Sequence, residues 1–182
     1  MKAWEDEQMT DENKRRIHAF RNALVLAADT RSHECFEMGR WQELNEFPYG
    51  CCDLASNFLA QYLRDSDPTL RPVIIHIQAT QSYRNDKAST IHSHVMVALG
   101  DKYIDLTLNQ FAENNRRVII EDKYGTLATM QREIQQFGGT ITRRKINIDN
   151  TVENGDDLYN WLRNTADCLL DRSGALKNCR HE

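Results

Sequence analysis

Residues 92–111 read HSHVMVALGDKYIDLTLNQF, and a two-residue turn inside them constrains the fold more than any other feature of the chain. The run up to Leu99 is strand-like, Gly100-Asp101 is a hairpin turn signal, and Lys102 to Thr107 reads as the returning strand. Side chains alternate between the two faces of a strand, so the turn length decides which residues share a face. Leu99 then faces Lys102, Met96 faces Asp105 and His94 faces Thr107. Val95, Val97, Leu99, Ile104 and Leu106 form an apolar face that belongs against a core; His94, Met96, Ala98, Tyr103, Asp105 and Thr107 form the other. Asp105 lies diagonally across from His94, roughly 7–8 Å away between backbone positions, which a carboxylate and an imidazole can span. An acidic residue inside an apolar strand needs a partner. This register supplies His94.

The second constraint is the stretch FPYGCCDLASNFLAQYL, residues 47–63. Phe47-Pro48 and Gly50 break the backbone, and apolar residues then recur at steps of three and four through Leu54, Ala55, Phe58, Leu59, Tyr62 and Leu63. A helix therefore starts at or just after Cys51. A cysteine at a helix start sits among unpaired backbone N–H groups and the positive end of the helix dipole, which favour a thiolate. Elsewhere in a chain, a cysteine is usually a small buried residue. Cys51 and Cys52 point about 100° apart around the helix, so only one of them faces a given partner.

Cys, His and Asp in that order, the last two joined by a hairpin, resemble the papain-like cysteine superfamily in its transglutaminase-like branch. The resemblance rests on G-x-C at the helix start and on the hairpin running into I-D-L-T-L-N-Q-F. It covers residues 47–111 and is nearest to small bacterial proteins with an FPxGxC segment. It implies that Gly50 is the motif glycine, Cys52 the nucleophile, His94 the base and Asp105 the acid that orients it. Cys51 stands where that pattern has a small residue. The chemistries implied are peptide or amide hydrolysis, deamidation and acyl transfer, all through a thioester and without a cofactor. Asn109 and Gln110 are further candidates, as side-chain amides near an oxyanion, with surface hydrogen bonding as their ordinary role.

The remaining sequence sets bounds. A chain of 182 residues suits one domain with a sizeable core, and 40% apolar with 27% charged residues is an ordinary globular balance. A net charge of −4 gives no reason to expect nucleic acid; Arg116-Arg117 and Arg143-Arg144-Lys145 read as solvated strand edges rather than phosphate sites. Charged and polar residues open the chain, so no signal peptide is expected, and no apolar run reaches membrane-spanning length. Five cysteines, two of them adjacent, make a poor disulfide framework and point to a reducing cytoplasm; delivery as an effector without a signal peptide is the alternative. Cys35, Cys168, Cys179, His18 and His181 read as structural or surface residues.

Helices are expected from Thr10 or Asp11 to about Ala28, briefly around Trp41–Leu44, from Cys51 onward, over Tyr124–Phe137 and from about Asp156 to Leu170, with a frayed tail from Arg172. Strands are expected at Val73–Ala79, in the hairpin, at Val118–Ile120 and over Thr140–Asp149, with Ile146 and Ile148 facing in. Residues 80–91 look irregular, and Leu108–Glu113 suits a helical turn. The fold class expected is α+β, one papain-like domain over residues 1–182 with its nucleophile helix on an antiparallel sheet. The function expected is a cysteine-dependent hydrolase acting on a peptide or protein amide through a Cys52–His94–Asp105 triad. Acyl transfer by the same triad is one alternative. A metal-binding protein using His92 and His94, with Asp105 and His76, is another. A non-catalytic binding module on the same fold is the third.

Overall fold

The structure is a computed structural model that describes residues 8–29, 33–148 and 154–178. Five strands make one antiparallel sheet: β1 (Val73–Gln78), β2 (Ser93–Leu99), β3 (Lys102–Asp105), β4 (Ile119–Glu121) and β5 (Thr140–Arg144), in the order β4-β3-β2-β1-β5. The described residues also form helices α1 (Asp11–Ala28), α2 (Cys52–Ser66), α3 (Gln81–Lys87), α4 (Thr126–Gln136) and α5 (Asp156–Asn178). The fold is mixed α+β.

The Gly100-Asp101 turn pairs Leu99 with Lys102, Ala98 with Tyr103 and Val97 with Ile104, the register its length dictates. Gly100 takes a left-handed φ of 59°, which an L side chain resists. Val95, Val97, Leu99, Ile104 and Leu106 join a core with α1, α2 and α5. The opposite face is also covered, which the hairpin alone does not reveal. Ile75, Ile77, Met96, Ala98 and Ile119 pack with Tyr83 of α3 and with Leu127, Met130 and Ile134 of α4 in a second core. A sheet buried on both faces explains why Met96 and Ala98 are apolar on the side that carries His94 and Asp105.

Thr10 caps α1 by accepting from the Asn13 N–H at 3.1 Å. Residues 80–91 differ from the irregular loop expected of them. Thr80 accepts from Tyr83 N–H and starts α3, a polar helix whose single buried residue is Tyr83. One anchor gives no periodic signal, so the sequence does not announce it. The strand expected over Thr140–Asp149 stops at Arg144; Ile146 and Ile148 still pack inward, on the first core. There Asn57 Oδ1 accepts from Asn147 N–H at 2.8 Å and draws the chain off the sheet. The last helix runs on to Asn178, past the fraying point expected at Arg172. Asp149, Cys179 and His181 lie outside the described residues.

Candidate active site

Cys52 is the first residue of α2 and is partly exposed, whereas Cys51 before it is fully buried. No side chain caps this helix, so its first-turn N–H groups remain open to an anion at the thiol. The preceding loop turns sharply: the Phe47–Pro48 peptide is cis and Gly50 has φ 69°. The Gly50 N–H donates to Gln110 Oε1 at 3.2 Å, and Gln110 Nε2 donates to the Thr107 carbonyl at 3.0 Å. That bridge ties the approach to α2 to the end of the hairpin. One turn into α2, Ser56 Oγ donates to the Val95 carbonyl at 3.0 Å, which fixes the helix against the start of β2.

Cys51 has a separate task. Its Sγ donates to the carbonyls of Glu43 at 2.8 Å and Tyr49 at 3.2 Å. Burial, then the neighbouring Cys52 and Glu43, push the Cys51 thiol up to about 12. It stays protonated and pins the loop.

His94 is fully buried and shares its sheet face with Ile77, its β1 partner, and with Asp105. The imidazole Nε2 bonds Asp105 Oδ2, and Asp105 Oδ1 accepts from the Thr107 N–H at 2.8 Å. Phe111 packs edge-on against the ring, centroids 5.3 Å apart. Nδ1 makes no conventional hydrogen bond, and the Cys52 thiol is close enough to act on the imidazole. Burial works to lower the His94 pKa. The Asp105 carboxylate, by charge and hydrogen bond, and then Cys52 outweigh it and hold the imidazole above its ordinary value. The arrangement is a thiol at a helix start, a histidine with one nitrogen held by a carboxylate, and its other nitrogen left for the thiol. Such a set can pass a proton from sulfur to nitrogen and keep the resulting imidazolium apart from solvent.

Of the amides singled out in the sequence, Gln110 spends its oxygen on Gly50 and a donor on Thr107; it shapes the loop. Asn109 Oδ1 is buried without a hydrogen bond, beside Arg21, Phe47 and Pro48. His92 is exposed and precedes β2, and its carbonyl accepts from Ala79 N–H at 2.9 Å. His76 turns to Ser93 and Arg144 instead of joining His94. Among the described residues no group of three or more His, Cys, Asp or Glu side chains is placed to hold a metal ion. The Gln110 bridge and the Phe111 contact escaped sequence reasoning. Their signal was adjacency alone, the Asn-Gln-Phe that follows the Asp105 strand.

No protein-family profile matches the chain, and no solved structure does. It is 35% identical over 106 residues to the uncharacterized protein YuaU of Escherichia coli strain K12, an alignment covering 58% of this chain and 45% of that protein. The uncharacterized YuaU of Escherichia coli strain UTI89 is 34% identical over the same share of each. The match therefore spans less than half the length of these curated relatives. No described helix is long and apolar enough to cross a membrane.

Proposed function

We propose that this chain is a thiol hydrolase of the papain-like, transglutaminase-like kind, cleaving an amide or ester carbonyl of a peptide or protein through a thioester on Cys52. The observation that carries it is the buried His94–Asp105 pair, with His94 Nδ1 free of any hydrogen bond and the Cys52 thiol near enough to bear on the imidazole. His94 Nδ1 takes the thiol proton and Cys52 Sγ attacks the carbonyl carbon. The proton then passes to the leaving amine or alcohol as the tetrahedral adduct collapses to a thioester. Water, deprotonated by His94, attacks the thioester carbonyl; the acid leaves, and the proton returns to sulfur. Asp105 holds Nε2–H, which keeps Nδ1 free to accept and stabilises the imidazolium. The backbone N–H of Cys52, at an uncapped helix start, faces the developing oxyanion.

Limited iodoacetamide near neutral pH, followed by peptide mass spectrometry, tests the premise, with p-nitrophenyl acetate as a turnover probe. Cys52 is expected to be alkylated before Cys35, Cys51 and Cys168, and Cys52→Ala to abolish ester turnover. Alkylation of exposed Cys168 ahead of Cys52, with turnover surviving Cys52→Ala, refutes the assignment.

A further inference from the structure

Several cations among the described residues have a carboxylate partner. Arg16 pairs with Glu12, Arg40 with Glu43 and Asp53, Lys87 with Glu133, and Arg116 with Glu121. Four others stand together on one surface. Arg64 near the end of α2, Arg143 and Arg144 of β5, and Lys145 just beyond it line a groove of about 400 Å³ with Pro72 and Ile146. All four cations are exposed, and among the described residues no carboxylate lines the groove. Arg64 donates to the Gln61 amide at 2.8 Å, and Arg144 Nη2 donates to His76 Nδ1 at 2.9 Å; both partners are uncharged acceptors. Four cations held close, with no counter-ion in the groove among the described residues, repel one another, and such a site attracts a negative ligand.

We propose that this groove binds an acidic, partly apolar segment of a polypeptide. Three features select a polypeptide among anions. β5 is an edge strand, so its outer backbone N–H and carbonyl groups have no strand partner among the described residues and can pair with an extended chain. Cations on an edge discourage pairing with a second copy of the same edge, but not with a strand of opposite charge. The groove offers aliphatic Pro72 and Ile146 and no aromatic ring on which a nucleobase stacks.

Arg144 also reaches past the groove to His76 of β1. Because Arg144 donates to His76 Nδ1, that ring is neutral and its Nε2–H donates to Ser93 Oγ at 3.0 Å. Burial, then Arg144, lower the His76 pKa and keep it so. Ser93 directly precedes His94. The groove nonetheless lies away from Cys52: Arg64 stands twelve residues further along α2, about 18 Å down the helix. The groove is a binding surface in its own right and does not rest on the thiol-hydrolase reading.

Fluorescence anisotropy with a fluorescein-labelled peptide of alternating glutamate and valine tests the groove in the full chain. A lysine–valine peptide and an oligothymidylate of matched charge serve as comparisons. The acidic peptide is expected to bind, more weakly as salt rises, and R143E/K145E to weaken it about tenfold while the melting temperature holds. R143Q/K145Q replaces the double reversal if that variant does not fold, with a smaller loss in the same direction. Acidic-peptide binding that is undetectable, or unmoved by these substitutions, overturns the proposal, and so does tighter binding of the oligothymidylate. If Cys52 is inert to iodoacetamide while groove binding persists, the hydrolase reading fails and the groove stands. If binding fails while Cys52 is selectively alkylated, the reverse holds.

Discussion

Removing the Asp105 carboxylate in two ways separates its structural from its chemical contribution. His94, Asp105 and Thr107 are 0%, 2% and 1% exposed, so water does not replace what a substitution removes. Asp105→Ala deletes two acceptors together: the partner of His94 Nε2 and the partner of the Thr107 N–H. Each buried donor left unsatisfied costs about 1–3 kcal/mol, so the pair costs about 4 kcal/mol. In a domain of this length that is a melting temperature lower by roughly 8–16 °C. Asp105→Asn keeps a carbonyl oxygen for Thr107 and should cost about half as much. Its amide donates to Nε2, however, and so forces the proton onto Nδ1, the nitrogen that must accept from Cys52. Turnover of an activated ester should fall by about 10⁴ in a protein that still folds. The pH dependence has a definite sign. The carboxylate raises the folded His94 pKa, so the stability it confers is complete below the ordinary imidazole value and is lost as pH rises through the raised one. The gap in melting temperature between wild type and Asp105→Ala should therefore narrow toward alkaline pH. Melts by circular dichroism across pH, with p-nitrophenyl acetate turnover, measure all three effects. A fully active Asp105→Asn would refute the orienting role. A melting gap that widens with pH would refute the charge argument.

Cys51→Ala should retain most ester turnover and lose about 1 kcal/mol of stability, since it removes a thiol donor to Glu43 and Tyr49 but leaves Cys52 in place; a dead Cys51→Ala beside an active Cys52→Ala would move the nucleophile by one residue. Gly50→Ala meets no atom within 4 Å and carries only the left-handed strain, so denaturant melts should show a loss of about 1 kcal/mol. Gly139→Ala should be worse, because its Cβ would overlap Ile134 Cγ2 and the Gln78 carbonyl oxygen, and a melt no lower than that of Gly50→Ala would contradict the packing at the start of β5. Gln110→Ala unties Gly50 from Thr107; stability should fall by about 1 kcal/mol, and iodoacetamide should modify Cys52 more slowly if the bridge holds the helix start in place.

The sequence by itself determined the hairpin, its register and the start of the Cys52 helix. Each depends on contacts only a few residues apart: a two-residue turn that admits one pairing, and an apolar period that begins at a backbone break. The His94–Asp105 bond followed, because it lies within that hairpin. Tertiary structure alone decided what covers the other face of the sheet. It also decided the formation of α3 on a single buried tyrosine, and the turn of residues 145–148 off the sheet edge toward Asn57. Gln110 and His76 belong to the same class. Both could have served the site, and both are claimed by partners 60 and 68 residues away, Gly50 and Arg144. Side chains of this kind have several acceptable partners, and the long-range packing of helices and strands selects one of them. Periodicity reports the face a residue takes, and only the assembled chain reports which neighbour waits there.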